Sequence, residues 1–177
     1  MTCPLSCEYL QEARKHEAPA AFDVAKMGNP DIRVTQEFLE SHSMLVLAAN
    51  SVVLRAALQN GAVDSDVREG LASLIQTYRT LQSGVIYEAL PANPLAAHLY
   101  RAVQEELRLF RELEREQEGI SKTRDSDVLR VLVFLERLAL DRNNGRPRGR
   151  AFLDVLRSFQ PETAPVLDTA SSSLILP

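Results

Sequence analysis

The residues from Arg142 to Arg150, RNNGRPRGR, are the part of this 177-residue sequence best equipped for chemistry. Arg142, Arg146, Arg148 and Arg150 crowd one turn between two helical patterns. Each guanidinium offers planar, bidentate hydrogen bonding to phosphate or carboxylate. The helix that follows would add free N–H groups and the positive end of its dipole, both of which favour an anion. From residue 142 to residue 157 there are five Arg and one Asp, a charge of +4, whereas the whole chain carries −4, so the remainder is −8. A concentrated basic patch on an acidic protein says more than the net charge does. Asn143 and Asn144 add polar groups that can assist the arginines. The chemistry on offer is recognition of an anion or an acidic partner.

Other chemistry is thinly represented. There is no G-x-S-x-G, no Walker loop and no G-x-G-x-x-G, so the usual nucleophile and phosphate motifs are missing. No H-E-x-x-H or Glu-x-x-His pair is present, which removes the familiar helical metal signatures. Cys3, Cys7 and His16 could supply three ligands where structural zinc takes four, so no metal site is assigned. His16, His42 and His98 lie far apart. The carboxylates of residues 105–118 alternate with Arg108, Arg111 and Arg115, the pattern of a solvated helix face. No catalytic residue and no cofactor follow from these features, and an enzyme is the less favoured class.

The hexapeptide Gly145–Arg150, GRPRGR, resembles the AT-hook, a short minor-groove-binding segment built on Arg-Gly-Arg-Pro with basic flanks. The resemblance covers six residues of the 177. It implies contact with DNA through Arg146, Arg148 and Arg150. The sequence departs from the motif where Arg148-Gly149-Arg150 runs into Ala151 instead of Pro, and where Asn144 replaces a basic flank. AT-hooks are flexible, whereas this turn joins two amphipathic segments. A second candidate is a polar-rimmed pocket formed by Tyr78, Tyr87 and Tyr100, two of which are followed by an arginine. Such tyrosines more often bury a ring and keep the hydroxyl wet.

The elements that must position these residues are helical. Leu, Ala, Glu, Arg and Gln abound, and seven Gly with no Trp leave few breakers. Thr35 caps a predicted helix that runs unbroken to Asn60-Gly61, with Val34, Phe38, Leu45, Ala49, Val52 and Val53 on one face. Asp64 opens the next, with Val67, Leu71, Leu74, Ile75, Tyr78 and Leu81 inward. Val85-Ile86-Tyr87 is the one short extended segment expected. Asn93 and Pro94 start a helix to Glu118, with Leu95, Leu99, Val103, Leu107, Phe110 and Leu113 as its stripe. Asp125 or Ser126 caps a helix apolar on most faces, and Phe152, Leu153, Leu156 and Phe159 mark a short last one.

The prediction is all-α: a single-domain bundle of five to six helices, mostly up-and-down, with the Asp125-Asp141 helix central. Residues 1–31 form an N-terminal arm or kinked helix, 32–160 the bundle, and 161–177 a disordered tail. Two cysteines close together do not make a disulfide framework, no signal peptide is evident, and no stretch approaches the ~20 apolar residues of a membrane span. The expected setting is cytoplasmic. The expected function is a non-catalytic interaction or regulatory module that presents Arg142, Asn143, Asn144, Arg146, Arg148 and Arg150 to an acidic protein partner. Nucleic acid is the alternative partner, a small-molecule sensor or enzyme with an inter-helix pocket the third reading, and homodimerisation a further option. No membrane partner is expected.

Overall fold

A helix can begin or end only where something replaces its missing backbone partners, and those replacements set the layout of this chain. The computed structural model describes residues 28–160. The arm up to residue 27, with Cys3, Cys7 and His16, and the tail 161–177 lie outside the described residues. Six helices are described: α1 (Gln36–Ser41), α2 (Ser43–Asn60), α3 (Asp64–Gln82), α4 (Pro94–Glu118), α5 (Asp125–Asp141) and α6 (Ala151–Ser158). Thr35 caps α1 by accepting from the Phe38 N–H at 3.2 Å. Asn93 caps α4 by accepting from the Leu95 N–H at 2.9 Å, with Pro94 in the first turn. Gly61 and Gly119 end α2 and α4 in the left-handed conformation at φ 68° and 79°. At α5 the cap differs from expectation: Arg124 is the capping residue, and Asp127 reaches back to accept its N–H at 3.2 Å.

The single helix expected from Thr35 to Asn60 is two. His42 departs from helical geometry at φ −114°, ψ 26°. Local hydrogen bonds compete there with the helix. Ser41 Oγ donates to the Phe38 carbonyl at 3.0 Å, and the His42 ring packs on Phe38 with centroids 4.3 Å apart. Val85–Tyr87 joins no strand, and none occurs among the described residues. Those three side chains are exposed, and the segment is held instead through Thr77 and Thr80. Thr77 Oγ1 accepts from the Ala89 N–H at 3.0 Å, and Thr80 Oγ1 donates to the Tyr87 carbonyl at 3.1 Å.

The four longer helices make one all-helical domain. α4 and α5 each pack against both α2 and α3, while consecutive α2 and α3 meet little beyond their short connection. α6 lies across α2 and α3, and α1 rests on α2. Val128, Leu129, Val131, Leu132, Val133, Leu135 and Ala139 of α5 are buried, which matches a helix apolar on most faces. α3 and α4 cross closely at Gly70. A Cβ there would come within 2.8 Å of a Leu99 methyl and 3.2 Å of the Ala96 carbonyl. A mid-helix glycine weakens helix propensity by about 1 kcal/mol, and here it allows backbone-close packing. The α4 stripe is shorter than predicted. Leu107 is its last fully buried residue, and Leu113 is exposed, as is Phe159 beyond α6.

Two charged clusters close the ends. Arg137 donates to the carbonyls of Gly28, Asn29 and Ile32, and Arg79 reaches Asn29 and Asp31, so residues 28–32 are held against α3 and α5. Glu114 holds the α4–α5 connection. It accepts from Ser121 Oγ and Thr123 Oγ1, each at 2.8 Å, and from the N–H groups of Lys122 and Thr123, each at 3.1 Å. Burial opposes ionisation of this carboxyl, but the hydrogen bonds from Ser121, Thr123 and Lys122 outweigh it and hold its pKa below the ordinary 4.5. The stabilisation is therefore present above that ordinary value and is lost as pH falls through the lower folded value. Glu114→Ala should lower unfolding stability by about 1–2 kcal/mol at pH 7 in urea titrations. The gap between variant and wild type should narrow below pH 4. An equal gap at both pH values would contradict this account.

Candidate functional site

Everything that shapes the Arg142–Arg150 turn converges on Asp64. α6 starts at Ala151 with no side-chain cap from its own Arg150. The cap comes from α3: the Asp64 carboxylate accepts from the N–H groups of Phe152 at 3.1 Å and Leu153 at 3.2 Å. The Asp64 backbone N–H in turn donates to the Gly149 carbonyl at 3.0 Å. Asp64 is only 4% exposed and has no cationic partner among the described residues. Two backbone donors and the positive end of α6 supply what a buried carboxylate needs.

The turn itself is bonded internally. Asn143 Oδ1 accepts from the Gly145 N–H and Asn144 Oδ1 from the Arg146 N–H, each at 3.1 Å. The Gly149 N–H donates to the Arg146 carbonyl at 3.0 Å. Gly145 takes φ 71°, and a Cβ on Gly149 would lie 2.6 Å from Asn144 Oδ1. The preceding helix stops at Asp141 with Arg142 as its cap, so Asn144-Gly145 lies within the turn. Asn143 and Asn144 commit their side-chain oxygens to the turn, so they shape it before they can touch a partner.

Arg142, Arg146, Arg148 and Arg150 are all exposed. Arg142 pairs with Asp141 at 3.2 Å. Arg146, Arg148 and Arg150 make no ion pair among the described residues. None of these arginines pairs with the carboxylates of residues 112–118. Glu112 pairs with Arg108, Glu114 holds the α4–α5 connection, and Glu118 pairs with Lys122. The AT-hook resemblance fits the geometry poorly. Gly149, the centre of Arg148-Gly149-Arg150, is buried and tied to Asp64, so the backbone forms a closed turn and not an extended strand that can follow a groove.

The three tyrosines do not form one pocket. Tyr78 and Tyr100 are buried and share a polar chain. Tyr78 Oη donates to Gln104 Oε1 at 3.1 Å, Gln104 Nε2 donates to Tyr100 Oη at 3.3 Å, and Tyr100 Oη lies 3.0 Å from Thr77 Oγ1. Tyr87 is 56% exposed and makes no side-chain hydrogen bond to either Tyr78 or Tyr100. A hollow of about 230 Å³ does open beside Tyr78, lined further by Gln104, Leu107, Arg108, Arg111 and Arg115. Their spacing in sequence is that of a solvated face, and their convergence on Tyr78 depends on how α4 meets α3. A second hollow of about 320 Å³, lined by Val34, Leu39, Phe134 and Leu138, lies between α1 and α5. Among the described residues no group of three or more His, Cys, Asp or Glu side chains could hold a metal ion. No helix there is long and apolar enough to cross a membrane.

Compared with known protein families, curated proteins and solved structures, the chain matches none. The site therefore has to be interpreted from its own geometry.

Asp64→Ala should leave the N–H groups of Phe152 and Leu153 without partners and cost about 2–3 kcal/mol in chemical denaturation. Amide exchange should quicken selectively across residues 142–158. Wild-type exchange in that segment would show that Asp64 does not organise the turn.

Proposed function

We propose that the protein is a non-catalytic recognition module that captures an acidic protein partner through Arg146, Arg148 and Arg150. The observation that carries this reading is their lack of ion-pair partners among the described residues, on a turn whose backbone is fixed at both ends. Arg79, Arg111 and Arg137 are committed to internal partners, and although other arginines scattered over the bundle, such as Arg33, Arg68 and Arg101, also make no ion pair among the described residues, the turn gathers three within residues 146–150. An exposed arginine with no carboxylate to satisfy it has its full hydrogen-bonding capacity left for a ligand. Because the backbone is already ordered, binding has to immobilise only side chains. Nucleic acid is the second reading, favoured by the same concentration of charge. The closed turn at Gly149 argues against minor-groove insertion but leaves phosphate contact open.

The test measures binding of an acidic glutamate-rich peptide and of a duplex oligonucleotide by fluorescence anisotropy at several salt concentrations. Arg146→Ala/Arg148→Ala should weaken peptide binding by about tenfold or more, with the melting temperature unchanged because neither side chain has an internal partner. If the duplex binds instead, the logarithm of its affinity should fall against the logarithm of salt with a slope of roughly −3, reflecting three to four phosphate contacts. A double variant that melts early would make the arginines structural and end the recognition reading.

A further inference from the structure

Gln104, Arg108, Arg111 and Arg115 follow one another at intervals of four, three and four residues, which places them on one face of α4. That face meets Tyr78 of α3 across the hollow of about 230 Å³. The residues lining it include three arginines and no carboxylate. Arg108 is engaged by Glu105 and Glu112, to which its Nε, Nη1 and Nη2 donate. Arg111 gives one guanidinium nitrogen to Asp125 at 2.6 Å, while its Nε–H is buried without a hydrogen-bond partner. Arg115 makes no ion pair among the described residues. Burial pushes the Tyr78 phenol up to about 12, so it stays neutral and adds no negative charge to the hollow at physiological pH.

With the Tyr78 hydroxyl donated to Gln104 and the Arg108 guanidinium bonded to Glu105 and Glu112, the donors left to this concave surface are on Arg111 and Arg115, and they select for a compact ligand with oxygen acceptors. An unpaired buried donor is unfavourable unless something accepts from it. We propose that this hollow binds a small oxyanion, a phosphate or carboxylate group carried on a compact ligand, with Arg115 as a direct contact and Arg111 held in place by Asp125. The site is separate from the arginine turn. Asp64, which anchors the turn, and Tyr78 are fourteen residues apart on α3, roughly 20 Å along the helix.

The experiment titrates inorganic phosphate, and separately succinate, into the isotopically labelled full chain at constant ionic strength, with chloride as the reference anion. Amide resonances of Tyr78, Leu107, Arg111 and Arg115 should shift along a saturating curve for at least one of the two anions. The tighter of the two assigns the ligand class. Arg115→Gln should weaken that affinity by about tenfold with an unchanged melting temperature. Arg146→Ala/Arg148→Ala should leave these shifts intact, which separates this site from the function proposed for the turn. The proposal is overturned if the shifts are linear and match those of chloride. It is overturned equally if Arg115→Gln binds like the wild type, or if the shifts disappear with the turn variant.

Discussion

The buried carboxylate of Asp64 is the interaction on which the candidate recognition turn depends. Moving a carboxylate out of water is costly unless donors replace the lost solvent. Here the replacement is the open end of another helix. Its first N–H groups also need partners, and Arg150 does not provide one. Each deficiency answers the other, so α3 and α6 can meet only in a narrow range of positions. The turn between α5 and α6 inherits that constraint through the bond from the Asp64 N–H to the Gly149 carbonyl. Packing of Phe152, Leu153 and Leu156, all buried, then fixes the rest of α6. Asn50 reinforces the same helix from α2 by donating to the Leu156 carbonyl.

Some arginines hold the fold together. Arg137 satisfies three carbonyls of the entering chain, Arg79 grips Asn29 and Asp31, and Arg55 joins α2 to α4 through Glu106. These act as fasteners between segments distant in sequence. Arg115, Arg146, Arg148 and Arg150 have no such task among the described residues. Exposed ion pairs contribute little to stability, so leaving these four unpaired sacrifices almost nothing in folding while retaining their capacity for a ligand. The screening length in physiological salt is about 8 Å. Charges separated by most of the length of α3 therefore act on solutes almost independently.

Much of the fold is legible in the sequence because its signals are local. Asn93-Pro94, Asn60-Gly61 and Gly119 mark helix ends through contacts within a few residues, and three- and four-residue spacing identifies most of the core. What escapes is carried by contacts across the chain. Asp64 reads as the start of its own helix, yet its side chain caps one that begins 87 positions later in the sequence. Glu114 reads as one more residue of a solvated charged run, and only the returning connection shows that it gathers four hydrogen bonds. Gly70 carries no local signal because its value lies in what approaches it. The break at His42 was hidden by an apolar periodicity that continues across it. The arginine turn was visible as charge, but its closed form was not. GRPRGR has the composition of an extended DNA-binding segment, and only the link from Gly149 to Asp64 shows the folded turn.

That difference between composition and conformation bears on what such a turn can recognise. A flexible basic segment adapts to its target and loses backbone entropy on binding, about 1–2 kcal/mol for each ordered residue. A segment ordered beforehand avoids much of that loss but accepts fewer target shapes. Here Asn143, Asn144, Gly145 and Gly149 supply the order, while the arginine side chains above them remain free to turn. Selectivity would then come from the spacing of the guanidinium groups on a fixed base, and affinity from how many of them a ligand can engage at once. A partner with several carboxylates at matching spacing gains from each additional contact without further ordering of the backbone. A single small anion engages fewer of the arginines and gains less. The same reasoning separates the two proposals: the compact oxyanion is proposed for the hollow beside Tyr78 because its lining is concave, and the acidic protein partner for the turn because its arginines are exposed.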